Sequence, residues 1–338
     1  MKLAIPEGSG FMSRITTPIL FRIIDYLDEK NSTITTYRVK SLKASLRKIH
    51  RHESLVNKFK KTGIVIQGPI VPMITVKMCK RYKALYPETT IVLSTWQNQN
   101  SNDLASIREM GIHVLENVIP EHAGPTNVNL QIKSTISGIN YCKSLKCEYV
   151  LKNRSDVLLS ADAFLENLHT LISTFSKNSN KIVIPSYNSF LFRLYSPTDQ
   201  IQFGKINDLE EFWSSPTVEK DTKDFRFAES YLLRGYLAQS NRETKDTITD
   251  SLLVLRDHFI VADNESLGLV LNKGTKTDVS NRWGKQGFPE INSQITFWMW
   301  LDLESNLETY VDFYKQIQSN PGLEESIFSR GKETESKS

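Results

Sequence analysis

The feature that most constrains this chain is an alternation of short apolar runs with helix-periodic segments, starting at Gly63. Ile64-Val65-Ile66 is a continuous apolar run closed by Gln67-Gly68-Pro69, as expected of a strand buried on both faces and ending in a loop. A helical pattern follows from Thr75 to Tyr86 and is stopped by Pro87. The next strand is predicted at Thr90–Trp96, a helix from Asp103 to Met110, and a third strand at Ile112–Leu115. A longer helix over Asn127–Cys142, a fourth strand at Tyr149–Lys152, a helix at Ala161–Phe175 and a fifth strand at Lys181–Pro185 complete the series. Such repetition predicts an α/β fold, an open, mostly parallel sheet with helices on both faces. In such sheets ligands bind beyond the carboxyl ends of the strands. Attention therefore falls on Gln67 to Pro69, on Thr95 and Trp96, and on Asn153 to Asp156.

With 338 residues, 39% of them hydrophobic, the chain can bury a large core. Three cysteines, Cys79, Cys142 and Cys147, are too few for a disulfide framework and lack zinc-site spacing, which points to a reducing compartment. No apolar leader or spanning segment of about 18 residues is evident, so the expected location is cytoplasmic. A net charge of +4 does not call for a nucleic-acid partner. The charge is uneven, however, with nine Lys or Arg and one acid between Arg38 and Lys61. Val39, Leu42, Leu46 and Ile49 recur there at helical spacing. This basic amphipathic helix either packs on the domain or meets anionic lipid headgroups at the inner face of the cell membrane, about 1 kcal/mol per basic residue. With Thr17-Pro18 opening an earlier helix, residues 1–62 read as a helical N-terminal extension. Residues 63–330 read as one domain, with the α/β series over 63–185 and a substrate-facing part over 186–330 that has a helix over Phe225–Leu237 and a strand near His258–Ala262, and 331–338 as a disordered polar tail.

No phosphate loop, dinucleotide glycine fingerprint or serine nucleophile elbow is found. What remains is Arg154-Ser155-Asp156 at a strand end. Its carboxylate can hold a divalent cation that neutralises a diphosphate. Its guanidinium can fork onto phosphate directly. Equally, Asp156 can cap the turn before Ala161.

Five segments carry a resemblance to a known family. They are Gly63-Ile64-Val65-Ile66-Gln67-Gly68-Pro69-Ile70, Leu93-Ser94-Thr95-Trp96, Asn127-Val128-Asn129-Leu130-Gln131-Ile132, Lys152-Asn153-Arg154-Ser155-Asp156 and Asp199-Gln200-Ile201-Gln202-Phe203-Gly204. In order and spacing the chain resembles the WavE family of lipopolysaccharide and capsule synthesis proteins, which look like GT-A glycosyltransferases, from about Gly63 to about Trp300. The resemblance implies a GT-A sheet and an inverting transfer from a nucleotide-sugar donor to a glycan or lipid-linked glycan. It further implies a role in building a bacterial surface polysaccharide.

On that resemblance, donor-binding candidates are Gln67, Gly68, Pro69, Thr95, Trp96, Asn129, Gln131, Arg154 and Asp156. Trp96 stacks on a ring or merely closes the core rim. Asn129 and Gln131 open a helix whose N-terminal amides favour anionic or hydroxyl-rich ligands. Glu229 and Asp199 are the catalytic candidates for activating the acceptor hydroxyl, although Glu229 also suits an ordinary first-turn carboxylate. Asp156, with His258, is the candidate ligand set for Mn2+ or Mg2+. The GT-A pattern places an Asp-x-Asp after the fourth strand, and here Arg154 replaces its first acid. That substitution keeps open a second reading, a catalytically degenerate fold that binds glycan or partners at the membrane. Arg282-Trp283 is a further candidate for acceptor or phosphate.

Overall fold

The computed structural model describes residues 53–72, 74–176, 180–219, 227–271 and 294–319. Most of the basic extension, Arg282-Trp283 and the polar tail therefore lie outside the described residues. The last two turns before the sheet, α1 (Glu53–Lys60), are helical and bury Phe59, which meets Tyr86 edge to face at 5.3 Å between ring centroids.

The inner apolar runs become strands because both of their faces are covered. Within β1 (Thr62–Gln67) every residue is buried. It pairs in parallel with β2 (Thr90–Trp96) on one side and β4 (Tyr149–Arg154) on the other, while β3 (His113–Asn117) extends the sheet beyond β2. The intervening helices are α2 (Thr75–Leu85), α3 (Ser101–Glu109) and α4 (Val128–Ser144). Asn100 caps α3 by accepting from the backbone N–H groups of Asn102 and Asp103.

Beyond β4 the chain makes a short strand β5 (Val157–Leu159), helix α5 (Phe164–Phe175) and strand β6 (Ile182–Pro185). The next strand, β7 (Ile201–Lys205), is an addition to the sequence expectation. It inserts between β4 and β6, antiparallel to both. Its apolar residues Ile201 and Phe203 alternate with Gln202 and Gly204, so it lacks the continuous run that marks its neighbours. After α6 (Ile206–Trp213), α7 (Ala228–Gln239) and α8 (Ile248–His258), strand β8 (Phe259–Ala262) closes the sheet in parallel with β6. A four-residue helix α9 (Asn264–Leu267) leads to β9 (Leu269–Leu271), which pairs antiparallel with β5, and α10 (Phe297–Gln318) packs on α8.

The result is a seven-stranded sheet of order β3-β2-β1-β4-β7-β6-β8 with only β7 reversed. Six carboxyl ends, among them Gln67, Trp96, Arg154, Pro185 and Ala262, thus share one edge. Helix α4 covers one face so closely that Gly138 rests on Val65, and α2 covers the other, where the Tyr82 hydroxyl accepts from Asn153. Cys79, Cys142 and Cys147 are buried and free. Among the described residues no helix is long and apolar enough to cross a membrane.

Candidate active site

Pleating decides where the residues of β4 go. Val65, Lys152 and Gln202 stand opposite one another across β1, β4 and β7, so Lys152, and Arg154 two positions on, share the α4 face. Asn153 points to the other face, where its Nδ2 donates to Tyr82 Oη at 3.1 Å and to Val157 O at 2.8 Å. That second bond ties the two sides of the Ser155-Asp156 turn together. Arg154 then folds forward onto Asp156, Nε to Oδ1 at 2.9 Å and Nη2 to Oδ2 at 2.8 Å. Both side chains keep some exposure, 27% and 17%. Burial disfavours the Arg154 charge, but the hydrogen bonds and charge of Asp156, with Asp199 behind, raise its pKa above the ordinary value.

Gly68 completes this strand end. It sits at φ +122°, and a Cβ there would lie 2.8 Å from Ser155 Oγ, so only glycine lets the β1 loop cross the β4 turn. Ser155 N donates to Gln67 O at 2.8 Å, and Thr75 Oγ1 donates to Ser155 O at 3.1 Å.

A buried polar network holds the next element of the site. Lys152 is fully buried, its ammonium donating to the carbonyl of Asp199 and lying 4.5 Å from the centroid of the Trp213 ring. Desolvation pushes its pKa down to about 7, against the pull of Asp199. Beside it Gln202 accepts from Trp213 Nε1 at 2.7 Å and donates to Thr198 O at 3.2 Å. The segment Thr198-Asp199-Gln200 is fixed from beneath, with Asp199 only 3% exposed. Glu229, in the first turn of α7, accepts from Asn188 Nδ2 at 2.6 Å, and Asn188 itself adopts a left-handed φ of +61°. Burial first, then the charge of Asp199, raises the Glu229 carboxyl to about 7, while Arg193 and Asn188 pull it back. The Arg193 guanidinium lies between the rings of Phe190 and Phe227, 3.9 and 4.2 Å from their centroids.

Arg154, Asp156, Asp199 and Glu229 therefore form one electrostatic cluster at the carboxyl edge. Gln67, level with Arg154 in the β1–β4 register, and Gln131 on α4 each hold a buried Oε1 without a hydrogen-bond partner among the described residues. Pro69, two residues after Gln67, is exposed.

Other candidates are placed differently. Asn129 Nδ2 donates to His122 O at 3.1 Å and Val218 O at 2.9 Å, and its Oδ1 accepts from Val218 N at 2.8 Å, so its amide is a clamp between loops rather than a free group for a ligand. Thr95 is fully buried on the face opposite Gln67, and Trp96 is 6% exposed, which leaves little ring for stacking. His258 is corrected outright. It ends α8 ahead of β8, which runs with β4, so it lies at the amino edge of the sheet, away from Asp156. There it meets Tyr236 edge to face at 5.8 Å, and burial, then Arg242, lowers its pKa. Asp156 cannot pair with it around an ion. Among the described residues no three His, Cys, Asp or Glu side chains converge, and both Asp156 oxygens already accept from Arg154. Closed onto Arg154, the Asp156 carboxylate does not offer the open oxygens that Mn2+ or Mg2+ takes. Lys152, Asn188 and Arg193 went unread at the level of sequence; a lysine inside an apolar strand was the one available signal.

A family model described as WavE lipopolysaccharide synthesis matches residues 62–264 of the 338. The chain belongs to this family. The WavE match opens with β1 and ends at the start of α9, so Gln67, Arg154, Asp156, Asn188, Asp199 and Glu229 all fall inside it. No curated protein matches the chain. Among solved structures it is similar to a cytidylyltransferase from Leptospira borgpetersenii, at 11% identity over 74% of this chain and 96% of that one, with a TM-score of 0.35. It is likewise similar to glucosyl-3-phosphoglycerate synthase from Mycobacterium tuberculosis in complex with Mn2+, UDP-glucose and phosphoglyceric acid, at 9% identity over 75% and 83%, with a TM-score of 0.40. Overlaps this loose carry no argument about activity.

Proposed function

We propose that this WavE-family protein transfers a sugar, with inversion, from a nucleotide-sugar donor to a growing lipopolysaccharide or capsule glycan. The observation that carries this reading is the cluster itself. A cationic fork, Arg154 on Asp156, and a carboxyl titrating near neutrality, Glu229, are joined through Asp199 at the edge where an α/β sheet binds ligands. Gln67 and Gln131, with acceptor oxygens unmatched among the described residues, suit the N–H and hydroxyl groups of base and ribose. Arg154 meets the diphosphate. Glu229 takes the proton from the acceptor hydroxyl, whose oxygen bonds to the anomeric carbon as the bond to the nucleoside diphosphate breaks on the opposite face. Asn188 orients Glu229, and Asp199 keeps its basicity near the working pH. The basic residues between Arg38 and Lys61 would hold the enzyme against anionic headgroups at the inner membrane face, close to a lipid-linked acceptor.

A panel of UDP-, GDP-, ADP-, CMP- and dTDP-sugars tests this, by thermal shift and by transfer or hydrolysis. One donor is expected to raise the melting temperature and to turn over, with Glu229→Gln still binding but about 100-fold slower or worse. Full turnover by both Glu229→Gln and Asp156→Ala would sink the residue roles. Glycan binding without any nucleotide effect would favour the degenerate, binding-only reading.

A further inference from the structure

At the turn after β4, where a metal-using transferase needs open carboxylate oxygens, this chain presents a closed ion pair. Each Asp156 oxygen accepts one N–H of Arg154, at 2.9 and 2.8 Å. A divalent ion on Asp156 would have to displace two charge-assisted hydrogen bonds and stand beside a guanidinium that cannot give up its proton. Lys152 adds a second basic group on the same face of β4, two residues back. The same geometry suits an anion. The fork uses Nε and one N–H of Nη2, and Arg154 makes no further hydrogen bond with a described residue, so Nη1 and the outer N–H of Nη2 remain as a parallel donor pair. Asp156 holds that pair in one orientation, and the 27% exposure of Arg154 leaves it reachable from the carboxyl edge.

We infer that the Arg154 guanidinium, oriented by Asp156, itself holds the diphosphate of the donor and balances the charge of the departing nucleoside diphosphate, with no divalent cation between protein and phosphate. The sugar–oxygen bond breaks with its electron pair remaining on the diphosphate, and the cation facing that growing charge is the guanidinium. This inference rests on the sugar-transfer reading above.

The test is nucleotide binding by the full chain after metal stripping. UDP, GDP, ADP, CDP and dTDP would be titrated by calorimetry and thermal shift in EDTA, then with Mn2+ or Mg2+. At least one nucleotide is expected to bind in EDTA, with added metal changing its affinity less than about threefold. Arg154→Lys keeps the charge but loses the fork, and is expected to weaken binding about 10- to 100-fold. Arg154→Asp restores two acids around Ser155 and is expected to make nucleotide binding metal-dependent; circular dichroism would confirm that both variants fold. Binding that appears only with metal, or that survives Arg154→Lys unchanged, overturns the inference and leaves the transferase reading standing. Binding of no nucleotide under either condition overturns that reading, and this inference with it.

Discussion

Glu229 is one titratable group on which the chemistry and the stability of this protein pull in opposite directions. Its carboxyl titrates at about 7 in the folded protein, whereas an unfolded glutamate titrates at about 4.5, because burial and the Asp199 charge disfavour the anion. The folded state thus holds a proton that the unfolded chain has released between these values, and stability falls as pH rises through that window. As general base, however, Glu229 must be ionised. Transfer is expected to decline as pH drops through about 7, while Glu229→Gln loses activity and gains of order 1–3 kcal/mol at pH 7 in chemical denaturation. A stability change of the opposite sign would show that Asn188 and Arg193 stabilise the anion more than burial disfavours it. Lys152 presents the complementary case. Folded, it loses its proton near 7, whereas the unfolded lysine holds it to about 10.5, so stability rises with pH between the two. Lys152→Met should be neutral to about 3 kcal/mol more stable at pH 7, with the gain shrinking toward pH 10. Its transfer rate should fall, because the Asp199 carbonyl loses the ammonium that fixes the loop. A Met variant destabilised at pH 7 and equally so at pH 10 would contradict this account.

At the level of elements, the site depends on how closely α4 lies on the sheet. Gly138 packs directly on Val65, and nearer the carboxyl edge the same face of α4 carries Thr135 and then Gln131, whose Oε1 is buried without a partner among the described residues. A Cβ at position 138 has nowhere to go but into Val65, so Gly138→Ala is expected to cost about 1–3 kcal/mol despite its better helix propensity. Because lifting α4 also moves Gln131, donor affinity should fall in parallel; a stable variant with unchanged affinity would show that the helix can slide without disturbing the site. The elements themselves were legible in the sequence to different degrees. Runs such as Ile64-Val65-Ile66 and Thr90–Trp96 announce buried parallel strands through local composition. By contrast β7 was not legible, because Gln202 is buried only by virtue of Lys152 and Trp213, residues 50 and 11 positions away in sequence. The boundary at His258 is hidden for a related reason: the short apolar pattern of α8 runs straight into β8.

For the molecule as a whole, the sequence by itself determined the α/β class, the sheet edge where a ligand would sit, and the Arg-x-Asp at that edge, since all three follow from local patterns of apolar and turn-forming residues. Only the tertiary structure decided what those residues can do. It placed β7 backwards between β4 and β6, brought Asp199 from its far end to Arg154, and set Glu229 within reach of Asp199. It sent His258 to the opposite edge and committed the Asn129 amide to two loops. The physical reason is one of range. Strand and helix patterns arise from neighbours two to four residues apart, whereas desolvation, charge coupling and the closing of Arg154 onto Asp156 depend on distances through space that the order of residues does not state.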